Sequence, residues 1–196
     1  MTREMLFALA LGYLLGSIPF GLVLTRLAGK GDIRDIGSGN IGATNVLRTG
    51  SKPLAILTLL LDCIKATAAV LIAKRLFGSE AAAFAAAGAF VGHLYPVWLR
   101  FRGGKGAATL CGVLIGLLWP AAVAYAAVWI LLLLTIRISS VAGMSAAVSA
   151  PVAAFLLHSI HFPMLLGFAV LVLWKHRENI KRLSRGTEPR IGRVKA

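Results

Sequence analysis

Apolar residues in this chain come in runs longer than a small soluble core can bury, and that feature decides its fold class. Candidate spans cover residues 5–27, 53–73, 81–99, 107–118, 121–136, 141–157 and 162–174. A helix needs roughly 20 mostly apolar residues to cross hydrocarbon. Inside lipid only helices and closed barrels satisfy the backbone, and these runs lack the period-2 alternation of barrel strands. Of 196 residues, 58% are hydrophobic and only 14% charged, against about a quarter charged in soluble domains. The sequence therefore reads as an all-α integral membrane protein, with residues 1–196 as one polytopic domain. The first run is too long for a signal-peptide core and ends without a clear small-residue cleavage site, so it is read as a span.

Two places leave the span count open. Trp119-Pro120 marks either a turn or a kink in one long helix. The stretch from His158 to His161 marks either a turn or a polar interruption. The count is thus five to seven. The net charge of +14 would suggest nucleic acid in a soluble protein, but in a membrane protein positive-inside loops explain it. With seven spans and the N-terminus outside, the cytoplasmic side gathers Arg26, Lys30, Arg34, Arg48 and Lys52, then Arg100, Arg102 and Lys105, then Arg137 and the basic tail. Only Arg3, Lys74 and Arg75 then lie outside, and Lys65 falls within a span. Five spans keep both termini on the same sides but move Arg137 out. The tail is expected to start helical and to become loose over 184–196, past Gly186 and Pro189.

Three polar motifs stand on the cytoplasmic side of that arrangement. The first runs from Gly37 to Asn45, with Ser38, Asn40, Gly42 and Thr44, and is followed by Arg48. It contains G-x-G-x-x-G, but no βαβ unit fits between two spans, so a dinucleotide fingerprint is rejected. A small-residue loop with exposed amides, hydroxyls and one arginine suits phosphate instead; the plain alternative is a flexible connector. The second is Phe101-Arg102-Gly103-Gly104-Lys105-Gly106. It lacks the Walker spacing, yet a glycine turn opening a helix beside a lysine suits an anion. An ordinary basic turn is its alternative. The third begins at His176, with Asn179 and Leu183 on the same helical face. A solvated basic helix explains its charges but not that shared face.

Other polar residues carry less. Asp62 and Lys65, three apart within a span, read as mutually neutralising. Ser139-Ser140 reads as a helix cap, with an anion-binding turn as the alternative. His93 reads as packing, and His158 and His161 are assigned nothing. Cys63 and Cys111 read as small buried residues without metal-ligand spacing. No histidine has an aspartate five residues on, and there is no G-x-S-x-G elbow. No metal or cofactor is expected.

These motifs together resemble the bacterial acyl-phosphate:glycerol-3-phosphate acyltransferases, the PlsY-type family. The resemblance rests on Gly16-Ser17-Ile18-Pro19-Phe20-Gly21, on Ile33-Arg34 with the Gly37 loop and Arg48, and on Gly92-His93 with Pro96. It continues through the stretch from Phe101 to Gly106 and through His176-Arg177, Asn179-Ile180, Arg182-Leu183, Gly186 and Glu188. It implies seven transmembrane helices, N-terminus outside and C-terminus cytoplasmic, in the bacterial inner membrane with the active site facing the cytoplasm. It implies acyl transfer from acyl phosphate to the 1-hydroxyl of glycerol 3-phosphate, giving lysophosphatidic acid and phosphate, the first step of bacterial phospholipid synthesis. An enzyme that makes acyl phosphate is an implied functional partner. By the family pattern Arg48, Lys105, Ser139, His176 and Asn179 resemble glycerol 3-phosphate ligands. Ser38 and the backbone of Gly103, Gly104 and Gly106 resemble an acyl-phosphate cradle, with Asn40, Asn45 and Ser140 as further binding residues. Ser38, Lys105 and His176 are the candidates for positioning and charge stabilisation in catalysis. The rival readings are a transporter of phosphorylated solutes, for which no internal repeat is found, and an anionic-lipid scaffold, which would not need the glycine loops.

Overall fold

The computed structural model describes residues 1–192, and in them ten α-helices and two short 3-10 turns form two compact units, Met1–Leu117 and the chain from Leu118 onward. Arg193 and Lys195, the last charges of the tail, lie outside the described residues.

The first unit holds α1 (Arg3–Gly16), α2 (Phe20–Leu27), the short α3 (Ala43–Leu47), α4 (Lys52–Phe77), α5 (Ser79–Leu94) and α6 (Ala107–Leu117). The expected first span is continuous in sequence but broken at 17–19, where Pro19 has no amide to donate. The carbonyls released there are taken up: Trp98 Nε1 donates to Ser17 O at 2.8 Å and Lys65 Nζ to Ile18 O at 2.7 Å. That repair lets a broken helix sit at membrane depth.

Small residues hold α1 and α5 together. Gly12 and Gly16 recur four apart, as do Gly88 and Gly92. A Cβ on Gly12 would stand 2.1 Å from Ala85 O, and one on Gly88 2.2 Å from Leu9 O. The two backbones therefore touch, which is how membrane helices pack without a hydrophobic driving force. Tyr13 seals the end of the contact by donating to Tyr95 O at 2.9 Å. Gly112 of α6 lies as closely on Cys63 O of α4, at 2.0 Å for an added Cβ.

The second unit holds α7 (Trp119–Ile136), α8 (Ser139–Leu156), α9 (Phe162–Lys175) and the juxtamembrane α10 (Arg177–Ser184). α8 packs between α7 and α9 with Ala142, Ala146, Ala150 and Ala154 fully buried. Both sequence ambiguities resolve as turns between separate helices. Leu118 leaves helical geometry and Pro120 enters α7 in its first turn, where its missing amide costs nothing. His158 has a positive φ of 50° after α8, and α9 starts at Phe162. Five helical stretches are long and apolar enough to cross a membrane (Arg3–Leu27, Lys52–Phe77, Ser79–Leu99, Trp119–Ile136 and Ser139–Leu156), and Ala107–Leu117 and Phe162–Lys175 are shorter apolar helices.

Within the tail, expected to be loose over 184–196, the Ile191 amide donates to Arg137 O at 2.7 Å and the Glu188 side chain is buried among polar partners.

Candidate functional site

In the first unit the glycine loop is organised by one side chain. Asn45 is 2% exposed, and its carboxamide uses all four of its hydrogen-bonding positions. Nδ2 donates to Ile33 O and Ile36 O, both at 2.9 Å. Oδ1 accepts from the Ser38 amide and from Arg48 Nη1, both at 3.1 Å. Gly37 adopts a left-handed φ of 56°, and a Cβ there would meet the Arg48 guanidinium at 2.6 Å. Only glycine fits that backbone and that space together. Beneath the loop Leu22, Ile33, Ile41, Val46 and Ala55 form a small apolar core.

This arrangement bears on two expectations. Asn45, expected to bind substrate, has all four positions bonded within the protein and clips the loop. The loop also does not offer a row of open amides. Ser38 N–H goes to Asn45, Gly39 N–H to Ile36 O, and Gly42 N–H to Asn40 Oδ1 at 2.9 Å, so Asn40 forms a local turn as well. What the loop presents outward is the Ser38 side chain and Arg48, both on exposed residues. Arg34 and Arg26 are committed elsewhere, each 2.6 Å from Asp32 Oδ2. The Arg34 guanidinium holds the Asp32 carboxyl well below the usual carboxylate range, against the smaller opposing effect of burial.

The second motif folds back onto α5. Gly104 N–H donates to His93 O at 3.0 Å and Gly103 N–H to Leu94 O at 3.2 Å. These two amides, expected to cradle phosphate, are bonded to carbonyls of α5. Gly106, with φ 88°, sits over the Phe90 ring, and Lys105 is carried between these buried glycines into the start of α6.

The sequence reading gave His93 only a packing role. The structure places it 4% exposed, with Nδ1 3.0 Å from Lys65 Nζ. Lys65 also contacts Asp62 Oδ1 at 2.6 Å, so the expected neutral pair exists but has a third member.

In the second unit Ser140, Asn179, Arg182 and Glu188 meet. Glu188 Oε1 accepts from Ser140 Oγ at 2.7 Å and from Asn179 Nδ2 at 2.6 Å, while Oε2 accepts from Arg182 Nε at 2.7 Å. Burial pushes the Glu188 carboxyl up, but the hydrogen bonds from Asn179, Ser140 and Arg182 and the Arg182 charge outweigh it and hold it below the ordinary glutamate value. Glu188 is the residue that sequence reasoning missed as a participant. Its signals were its place among the residues that carry the family resemblance and its being an acid in a basic tail. The serines do not cap α8: Ile138 holds the cap position, without a side-chain bond. Ser139 is partly exposed as the first residue of the helix, and Ser140 is buried. His176 is 4% exposed, and its Nδ1 lies 2.8 Å from Val172 O. A carbonyl only accepts, so Nδ1 carries a proton, and in the neutral ring Nε2 is the acceptor nitrogen.

Within the first unit Ser38, Asn45 and Arg48 are thus brought together, and within the second Ser140 and Asn179 are. Among the described residues no group of three or more His, Cys, Asp or Glu side chains is arranged to hold a metal ion.

Residues 6–186 match the family described as glycerol-3-phosphate acyltransferase. The chain is 60% identical over 191 residues to a glycerol-3-phosphate acyltransferase of Rhodopseudomonas palustris, covering 96% of each chain. It is 56% identical to one of Mesorhizobium japonicum, covering 98% of each. Among solved structures it resembles crystal structures of PlsY (YgiH), described as an integral membrane glycerol 3-phosphate acyltransferase. The glycerol 3-phosphate form superposes with a TM-score of 0.90 at 39% identity, covering 96% of each chain. The lysophosphatidic acid form superposes at 0.87 and 38% identity, covering 96% of this chain and 95% of that one.

Proposed function

This chain belongs to the glycerol-3-phosphate acyltransferase family, and we propose that it transfers a fatty acyl group from acyl phosphate to the 1-hydroxyl of glycerol 3-phosphate, releasing lysophosphatidic acid and inorganic phosphate. The observation that carries the chemistry is the loop clipped by Asn45, which holds a guanidinium at a fixed place beside an exposed serine. Arginine in such a fixed posture suits phosphate, and both substrates carry one. Arg48 and Lys105 are assigned to phosphate charge, and Ser38 to the acyl-phosphate end. Ser139, His176 and Asn179 are assigned to glycerol 3-phosphate, with Ser140 held in reserve by Glu188.

In the reaction the 1-hydroxyl oxygen attacks the acyl carbon. The bond from that carbon to the phosphate oxygen breaks, and the hydroxyl proton leaves with the phosphate. Acyl phosphate is already activated, so orientation supplies much of the rate, worth about 7–11 kcal/mol in favourable cases. Cationic side chains add by stabilising the charge that develops on the departing phosphate. Substrate phosphate is the favoured proton acceptor, because a catalytic histidine base is oriented at Nδ1 by a carboxylate, whereas His176 Nδ1 faces the Val172 carbonyl at 2.8 Å.

The five long and two shorter apolar helices support seven spans. The placement of basic residues supports an outer N-terminus, a cytoplasmic C-terminus and a cytoplasmic site in the bacterial inner membrane. An open apolar groove of about 510 Å³ lined by Met144, Ser145, Val148, Leu173, Ile180 and Leu183 suits a fatty chain. Leu183 shares the α10 face of His176 and Asn179, so the groove adjoins the residues assigned to the acceptor. A supplier of acyl phosphate is a required functional partner.

The test is phosphate release by purified protein given palmitoyl phosphate and glycerol 3-phosphate, with Lys105→Ala as control. Release that needs both substrates, forms lysophosphatidic acid and is lost in the variant supports the assignment. Release without glycerol 3-phosphate, or no turnover by folded protein, overturns it and favours transport of phosphorylated solutes.

A further inference from the structure

The reaction as assigned leaves one buried polar network without a task. Asp62 and Lys65 of α4 and His93 of α5 are each no more than 5% exposed. Two charges at membrane depth are costly, and a pair that only neutralised itself would be matched or bettered by apolar residues. This pair also engages a third side chain. The Lys65 ammonium has three donors and no acceptor. It meets Asp62 Oδ1 at 2.6 Å, Ile18 O at 2.7 Å and His93 Nδ1 at 3.0 Å. His93 Nδ1 is 3.8 Å from Asp62 Oδ1, beyond hydrogen-bond reach. Facing a donor, Nδ1 must be the bare nitrogen, so the ring proton sits on Nε2.

That orientation places the other edge of the ring against the lysine turn. A Cβ on Gly104 would stand 2.1 Å from His93 Nε2, and one on Gly103 2.1 Å from His93 O. The His93 backbone carbonyl also takes the Gly104 amide at 3.0 Å. Ring and carbonyl of one residue thus grip the two positions that precede Lys105.

We propose that Asp62, Lys65 and His93 form a positioning device that fixes the turn at Gly103 and Gly104 and so aims the Lys105 ammonium at substrate phosphate. Lys65 sets the His93 ring, and the ring and carbonyl set the turn. None of the three touches substrate. The inference rests on the reading that Lys105 binds phosphate.

The experiment uses the full-length protein in detergent. Glycerol 3-phosphate affinity is measured by calorimetry, KM and kcat by phosphate release, and integrity by thermal unfolding. The variant Asp62→Leu/Lys65→Met removes the ammonium without stranding a charge, and His93→Leu removes the ring acceptor. Each is expected to stay folded while glycerol 3-phosphate binding weakens and its KM rises roughly tenfold; the double variant also unfolds earlier, because Ile18 O loses its lysine. Combined with Lys105→Ala, each is expected to add nothing, because all act through one ammonium. Wild-type affinity in either folded variant overturns the proposal, and so do losses that multiply with that of Lys105→Ala, the mark of a merely structural role. If Lys105→Ala itself binds and turns over normally, the phosphate-binding reading of Lys105 fails first, independently of the network.

Discussion

Replacing Glu188 removes an acceptor shared by three donors from two helices. In Glu188→Ala, Ser140 Oγ and Asn179 Nδ2 lose this acceptor in residues that are 3% and 6% exposed. A buried donor left unsatisfied costs about 1–3 kcal/mol. The Arg182 side chain is 36% exposed, can turn to water, and counts for at most about 1 kcal/mol. The loss expected is therefore about 2–7 kcal/mol, a large share of the roughly 5–15 kcal/mol typical of a folded domain. Glu188→Gln keeps an oxygen for Ser140 or Asn179 but drops the charge facing Arg182, and should lose about half as much.

The pH dependence has a definite sign. The folded carboxyl sits below its ordinary value, so its contribution is complete above about pH 4.3 and is lost as the pH falls through the lower folded value. Glu188→Gln should lack this acid-side loss. The assay is thermal unfolding in detergent between pH 3 and 7, beside glycerol 3-phosphate KM at neutral pH, which should rise roughly 10- to 100-fold in the alanine variant as Asn179 loses its fixed posture. A Glu188→Ala protein that melts within about 2 °C of wild type with unchanged KM would refute the reasoning, since a loss of about 1 kcal/mol alone moves a domain of this size by that much or more.

Asn45→Asp keeps the shape but faces a carboxylate toward Ile33 O and Ile36 O, where two donors stood; it should cost about 2–6 kcal/mol and abolish phosphate release, and native unfolding with native turnover would count against the clip. Gly88→Leu should separate α1 from α5 and cost about 3 kcal/mol or more in unfolding. Gly167→Ala, with nothing within 4 Å of an added Cβ, should be neutral or slightly stabilising. His176→Ala should raise the glycerol 3-phosphate KM far more than it lowers kcat; a step in the kcat–pH profile that disappears with His176 would instead make it the base.

The helices were legible because membrane spans advertise themselves by length and apolarity, and Pro120 marked the interruption at 118–120; the break at 17–19 lay inside a run read as one span. The polar motifs were legible as chemistry but not as geometry. Nothing in the spacing of Gly37, Asn45 and Arg48 says that the asparagine is turned inward and fully used. His93 looked like packing because its partners, Lys65 and Gly104, are 28 residues upstream and eleven downstream, and only the packing of α4 against α5 and the fold-back of the turn join them. The tail looked loose because composition reports glycine, proline and charge, whereas Glu188 finds its donors on α8 and α10.

The loops proposed to handle phosphate are set by side chains that face inward. A soluble enzyme rests its loops on a broad core; here the first loop has a small apolar cluster and one carboxamide, the lysine turn has His93, and the tail has one carboxylate. Each clip makes several bonds, so its loss releases a whole loop rather than one contact. Activity scans of this protein will therefore find Asn45, Gly37, His93 and Glu188 as damaging as Arg48, Lys105 or His176, although the first four make no contact with substrate in the proposed reaction. Loss of turnover alone cannot separate the two groups. A clip mutant should lose stability or misplace a neighbour whose own removal then adds nothing. A ligand mutant should leave unfolding unchanged and reduce affinity for one substrate.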